Sequence, residues 1–350
     1  MKRTIVYLTL LLTLGASLFG EQINRYGSTA ASFLEIGVGS RPTGMGEAYV
    51  AVTGDLSSIY WNPASSAYLD RSSFAFMYQP WLVDISTVFS SGAIVIPTIG
   101  TVAVSMTQIG YGEMAVTNLT HQDGTGEFFT ANEYALGLSY ARKIATWFSF
   151  GATAKMINSQ IWHESASAFA LDLGVIVKTN FFAPEDRREK GLVIGMSISN
   201  YGTRMRYDGI DLLQPIDISI DETGNYGDVV GLYRTQEWEL PLLFRIGLSW
   251  TPILNRFHSL TLAADALHPN NNAESVNVGG EYSIKMANSG RLYLRSGYKS
   301  LFLEDAEFGF TAGGGIEIYL IGNRSLRIDY AFKEANILGN TQAYTIGLTF

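Results

Sequence analysis

The sequence predicts an all-β protein: a transmembrane antiparallel β-barrel of about fourteen strands, with a small N-terminal hatch or plug. Three observations carry that prediction. The last ten residues alternate, with Tyr344, Ile346, Leu348 and Phe350 on one face and Ala343, Thr345, Gly347 and Thr349 on the other. So sharp an apolar face needs a covering other than water. About fourteen segments with the same period-two pattern follow one another from Ser73. After the first twenty residues no run of about 18 apolar residues occurs, which excludes helical membrane spans and leaves a barrel, whose strands satisfy one another's backbone groups.

Residues 1–20 carry Lys2 and Arg3, an apolar run from Ile5 to Leu14, and then Gly15, Ala16, Ser17 and Gly20. That is the layout of a cleaved secretory signal peptide, ending near Gly20. It predicts export to the outer membrane of a Gram-negative-type bacterium, with outer-membrane lipid as the covering of the apolar strand faces. Losing Lys2 and Arg3 takes the formal charge from −8 to −10, which argues against nucleic acid as a partner. Charged residues are 16% of the chain against roughly 25% in soluble domains, so the surface is short of charge. Without cysteine there is no disulfide framework, thiolate metal site or lipoprotein anchor.

Residues 21–72 form the predicted hatch and do not alternate. They contain Gly37, Gly39, Gly44 and Gly46, then Asp55 as the start of a short helical turn that Pro63 stops, leaving Asn62 extended. A fourteen-stranded barrel has a lumen too wide for wall side chains to fill. A segment of about fifty small and apolar residues suits that space; a periplasmic cap or an extra hairpin is the alternative.

Residues 73–350 form the predicted barrel. Clear strands include Val102/Val104/Met106, Tyr134/Leu136/Leu138/Tyr140, Phe169 to Val177, Leu192 to Ile198, Leu242 to Trp250 and Leu326 to Phe332. Counting back from Phe350, the periplasmic links are short: Gly322–Asn323, Ala287–Gly290, Thr251–Arg256, Ile144–Thr146 and Pro97–Ile99. The external links Thr203–Glu237 and Glu113–Ala131 are the longest, as barrels require; Thr179–Lys190 dissents, being long on the periplasmic side. Trp81, Trp147, Trp162, Trp238 and Trp250 fall at predicted strand ends, at headgroup level. The terminal strand is expected to close on a first strand near Ser73 to Gln79.

The inward parity collects charge: Lys155 and Asp172 on neighbouring strands, and Arg245, Asp265, Glu281, Arg295, Glu317, Arg327 and Asp329 on the last several. Equal distance from periplasmic turns places Arg295, Glu317 and Arg327 at one depth, as a lumenal ion-pair ladder that holds the wall or lines a conducting path. Catalysis has little support, and no cofactor or metal is expected. His121, His163, His258 and His268 fall in loops or near strand ends, and His163-Glu164 lacks a second histidine at metal spacing. Gly313-Gly-Gly315 completes no phosphate-binding pattern and marks a bulge or close backbone approach instead. Asp211, Asp217, Asp221, Glu222 and Asp228 make the long external loop acidic, a solvated surface or a weak calcium site.

The stretch from Gly39 to Ala64, GSRPTGMGEAYVAVTGDLSSIYWNPA, resembles the N-terminal signature of the PorV/PorQ family within the FadL-like outer-membrane barrels. Leu326 to Phe332, Leu338-Gly-Asn340 and the terminal strand resemble that family too. The sequence departs from it at Glu47, where a small residue is usual, and at Ser65, where Gly often follows Asn-Pro-Ala. The resemblance implies fourteen strands, a hatch built around Gly44, Gly46, Asn62, Pro63 and Ala64, and a terminal signal (Tyr344, Ile346, Leu348, Phe350) read by the barrel-insertion machinery. It implies a type IX secretion component that binds or hands over secreted proteins bearing C-terminal signal domains. A FadL-like channel for hydrophobic, lipid-like molecules is the alternative, and a purely structural barrel a third reading.

Overall fold

The computed structural model describes residue 25 and residues 27–350, apart from 82, 184–189, 220, 222–227, 288 and 304–305. The expected signal peptide and Glu222 therefore lie outside the described residues. Seven wall strands come first: β1 (Ser73–Pro80), β2 (Ser86–Ile96), β3 (Gly100–Ala115), β4 (Phe128–Ala145), β5 (Phe148–Ile161), β6 (Glu164–Lys178) and β7 (Val193–Gly202). An external excursion follows, with β8 (Asp208–Gly209) paired to the start of β6 and a hairpin of β9 (Leu213–Ile216) and β10 (Val229–Leu232). Seven more complete the wall: β11 (Leu243–Leu254), β12 (His258–Pro269), β13 (Ser275–Met286), β14 (Gly290–Leu301), β15 (Phe310–Leu320), β16 (Arg324–Glu334) and β17 (Asn340–Thr349).

Every wall strand pairs antiparallel with its neighbours, β7 pairing directly with β11 across the excursion. The terminal strand β17 closes the ring on β1, Leu348 opposite Phe74 and Tyr344 opposite Tyr78. Closure leaves the fourteen-strand wall no unpaired edge for lipid to solvate. The alternation is clean: on β1, Phe74, Phe76 and Tyr78 face outward while Ala75, Met77 and Gln79 are buried. Around the wall Val104, Leu138, Leu294 and Ile346 each stay more than half exposed, an apolar belt that only lipid can cover.

The periplasmic turns are short except the link between β6 and β7, residues 179–192, and two expectations need correction. The strand β11 does not end before Thr251: it runs to Leu254 through a register shift between Trp250 and Ile253, because Pro252, lacking an N–H, is accommodated at a bulge. The tryptophans divide. Trp147 faces outward, but Trp81, just past Pro80, turns inward, 4.7 Å from Lys333 Nζ, and Trp238 lies in the excursion, bridged to Met205. Parity read along a strand does not carry past the proline that ends it.

Candidate functional site

The lumen is filled by the chain that precedes β1. At its external end Ala30 N donates to Glu239 O (2.9 Å), and Phe33 and Leu34 pack on Ile109, Ala135 and Ile157 of the wall. The segment then descends through a helical turn Ser40–Gly44, a second at Ser58–Trp61 and a 3-10 turn Pro63–Tyr68 before entering β1. Asp55 Oδ1 accepts from Ser57 N (3.2 Å) and Asp55 O from Ser58 N (3.2 Å), which starts the second turn. Pro63 ends it, with Asn62 extended at φ −157.

Asn62 is the best-connected hatch side chain. Its Oδ1 accepts from Ala64 N (3.0 Å), capping the 3-10 turn, while its Nδ2 donates to Val50 O (2.9 Å) and to Val175 O of β6 (3.1 Å). Gly46, at φ +65, has no room for a Cβ, which would stand 2.7 Å from Tyr298 N. Inward-facing wall glycines receive the hatch backbone in turn: Gly151 meets Pro63 and Ala64, Gly195 meets Val50, and Gly279 and Gly297 meet Met45. Gly44 rests on Gly313, so the Gly313–Gly315 run does mark a close approach. Wall hydroxyls clamp the hatch carbonyls, Ser197 Oγ donating to Trp61 O (2.9 Å) and Ser249 Oγ to Ala51 O (2.9 Å).

Charge ties the two bodies together. Arg41 of the hatch grips Glu281 with Nε and a terminal nitrogen at 2.8 and 2.6 Å. Glu281 also accepts from Arg295 Nε (2.7 Å), Arg295 reaches Asp329 (2.8 Å), and Asp329 accepts from Arg327 Nε (2.7 Å). The ladder is thus Arg41–Glu281–Arg295–Asp329–Arg327. It does not run through Glu317, which faces Arg291 and Arg327 in register while Arg295 faces Gly313; Glu317 instead accepts from the Tyr293 hydroxyl (2.7 Å). Tilted, staggered strands break the link between distance from a turn and depth. Arg41 has no periodicity to betray it, so wall parity alone could not find it.

The remaining inward charges are scattered from the ladder. Asp265 accepts from Tyr49 N (2.5 Å) and Val50 N (2.8 Å), holding the hatch backbone. Arg245 lies over the rings of Tyr60 (5.8 Å) and Trp61 (5.4 Å) and donates to Ser199 Oγ (3.0 Å). Lys155 and Asp172 pair at 2.8 Å, and Asp172 accepts from Asn200 N (2.7 Å), a residue at φ +65 beside the β6–β7 register shift. Glu47 sits at φ +63 with its carboxylate between Lys299 (2.8 Å) and Lys333 (2.9 Å). Burial would raise its pKa, but the two ammonium groups outweigh burial and hold it down to about 2. Glycine would meet that backbone without strain; the two lysines offset the strain that Glu47 carries there.

The four sequence-predicted signal residues, Tyr344, Ile346, Leu348 and Phe350, all lie on the outer, lipid-facing side. Among the described residues no group of three or more His, Cys, Asp or Glu is arranged to hold a metal ion. The histidines make local bonds, His163 to Asp211 (3.1 Å) and His258 to Tyr282 (2.8 Å).

A family model described as Type IX secretion system protein PorV matches residues 19–227. Among solved structures, the toluene transporter TodX of Pseudomonas putida superposes with a TM-score of 0.56 at 10% identity, covering 90% of this chain and 99% of that one. The toluene transporter TbuX of Ralstonia pickettii does so with a TM-score of 0.53 at 9% identity, covering 89% and 97%. At such identities these are likenesses of fold. Among curated proteins no sequence matches significantly.

Proposed function

Because the chain belongs to the family of the type IX secretion system protein PorV, we propose that this outer-membrane barrel binds exported cargo with C-terminal signal domains and hands it over at the membrane. One observation supports the reading above others: the lumen is occupied by a hatch fastened on every side, by Asn62, by Arg41–Glu281, by Asp265 and by wall hydroxyls. A barrel filled in this way works through its external loops and outer wall. Export through a signal peptide at 1–20, the division into a hatch at 21–72 and a barrel at 73–350, and recognition of the Phe350 strand by the insertion machinery belong to the same proposal.

The second reading, uptake of hydrophobic small molecules, draws on the fold shared with the two toluene transporters. An apolar molecule on that route would have to pass buried guanidinium and carboxylate groups that cannot be left unpaired without cost. Deleting the gene tests the first reading: type IX cargo should remain in the periplasm, and normal surface display in the deletion strain would remove it. Lipid-like molecules copurifying with the detergent-exchanged protein, identified by mass spectrometry, would favour the second.

A further inference from the structure

Near the external mouth, two lysines share one carboxylate. Lys333 is fully buried, Lys299 partly so, and among the described residues Glu47 is the only acid within ion-pair distance of either. Glu35 acts on Lys299 from further away, its carboxylate being engaged by Asn271 Nδ2 (3.0 Å). At contact distance, then, two ammonium groups share a single carboxylate in a place where charge is costly to leave underpaired. The surroundings are short of partners too. Inward-facing Gln79 has both amide atoms unpaired, and the hydroxyls of Thr87, opposite it, and of Thr341, opposite Lys333, are unpaired and buried. Such buried groups keep hydrogen-bonding capacity that no protein group uses.

The roof over these groups is aromatic. Trp81 and Phe308 stand 5.9 Å apart, each 4.7 Å from Lys333 Nζ, and Phe308 is 4.5 Å from Lys299 Nζ. Both belong to segments at the external ends of wall strands, so two side chains roof Lys333 on the external side and the hatch floors it, while the side chain of Lys299 keeps 14% of its exposure. Glu47 holds its place from a left-handed backbone position, which a residue with a Cβ adopts only when its surroundings compensate.

We propose that Lys299 and Lys333 form an anion site for a carboxylate arriving from the external face, and that Glu47 is its built-in placeholder. The incoming carboxylate would take the second set of ammonium hydrogens, with Thr341 and Gln79 as further donors, or displace Glu47 and loosen the hatch. The site stands independently of the cargo reading.

The test is isothermal titration calorimetry on the detergent-solubilised barrel, with acetate and with N-acetyl-trialanine bearing a free or an amidated C-terminus as probes. Glu47→Gln, which frees both lysines, should bind acetate at least about tenfold more tightly than the unaltered protein. The free tripeptide should bind and the amidated one should not. Glu47→Gln/Lys299→Met/Lys333→Met removes all three charges together, leaves no orphan in the core, and should lose binding while keeping heat-modifiable mobility. No heat of binding in Glu47→Gln, or equal affinity in all variants, would overturn the proposal.

Discussion

Asn62 occupies the space of a side chain that Gly174 lacks: a Cβ on Gly174 would collide with Asn62 Oδ1, and the same amide donates to the next carbonyl of that strand, Val175 O, at 3.1 Å. The two residues are lock and socket of the hatch. Asn62→Ala removes a cap and two carbonyl partners in a buried place and should destabilise the hatch by about 1–3 kcal/mol. Limited proteolysis in detergent should then cut between residues 25 and 72 at concentrations that leave the unaltered protein whole.

The Arg41–Glu281 pair crosses from hatch to wall, bidentate, with Glu281 buried and Arg41 largely covered. Arg41→Ala leaves Glu281 with Arg295 alone and should cost roughly 3–5 kcal/mol, the penalty for breaking a buried pair on one side. Thermal unfolding followed by gel mobility should show an earlier transition, with Arg41→Lys intermediate because a point charge cannot reproduce the fork.

Acid should loosen the hatch through Glu47. A carboxyl held down to about 2 in the folded protein contributes stability that is present in full above its ordinary value of 4.5, and that is lost as pH falls from there towards 2. Protease sensitivity of the hatch should rise over that window, and Glu47→Gln, already neutral, should show a flatter profile. A rise confined to pH above 5 would point to another group.

The lipid-facing parity of β17 predicts a fourth effect. Ile346→Arg places a guanidinium on the outer face, where about 2–4 kcal/mol is lost near the midplane. The folded, heat-modifiable fraction recovered in vesicles should fall, whereas Ile346→Val should leave it unchanged.

The wall was legible because lipid enforces a period of two: Phe74, Leu138, Leu294 and Ile346 face out as their alternation requires. The hatch was legible as a region without that period, and Asn62-Pro63-Ala64 as its turn. What alternation could not supply was pairing across the lumen. The stagger of tilted strands put Arg295 opposite Gly313 rather than beside Glu317, and the partner of Glu281 came from Arg41, in a segment with no repeat at all. One signal went unread. Gly151, Gly174, Gly195, Gly279 and Gly297 all fall at the inward parity of their strands, and glycine there marks where another backbone comes close.

A filled lumen and external cargo handling stand or fall together on one measurement. The native chain has no cysteine, and Ser40 Oγ lies 2.7 Å from Thr345 Oγ1 across the hatch–wall contact, so Ser40→Cys/Thr345→Cys can lock the two bodies by a disulfide. Surface display of type IX cargo in a deletion strain complemented with the oxidised, locked barrel should equal that with the unaltered gene. Cargo trapped in the periplasm by the locked form, and released when the disulfide is reduced, would show that the hatch must move and would contradict it.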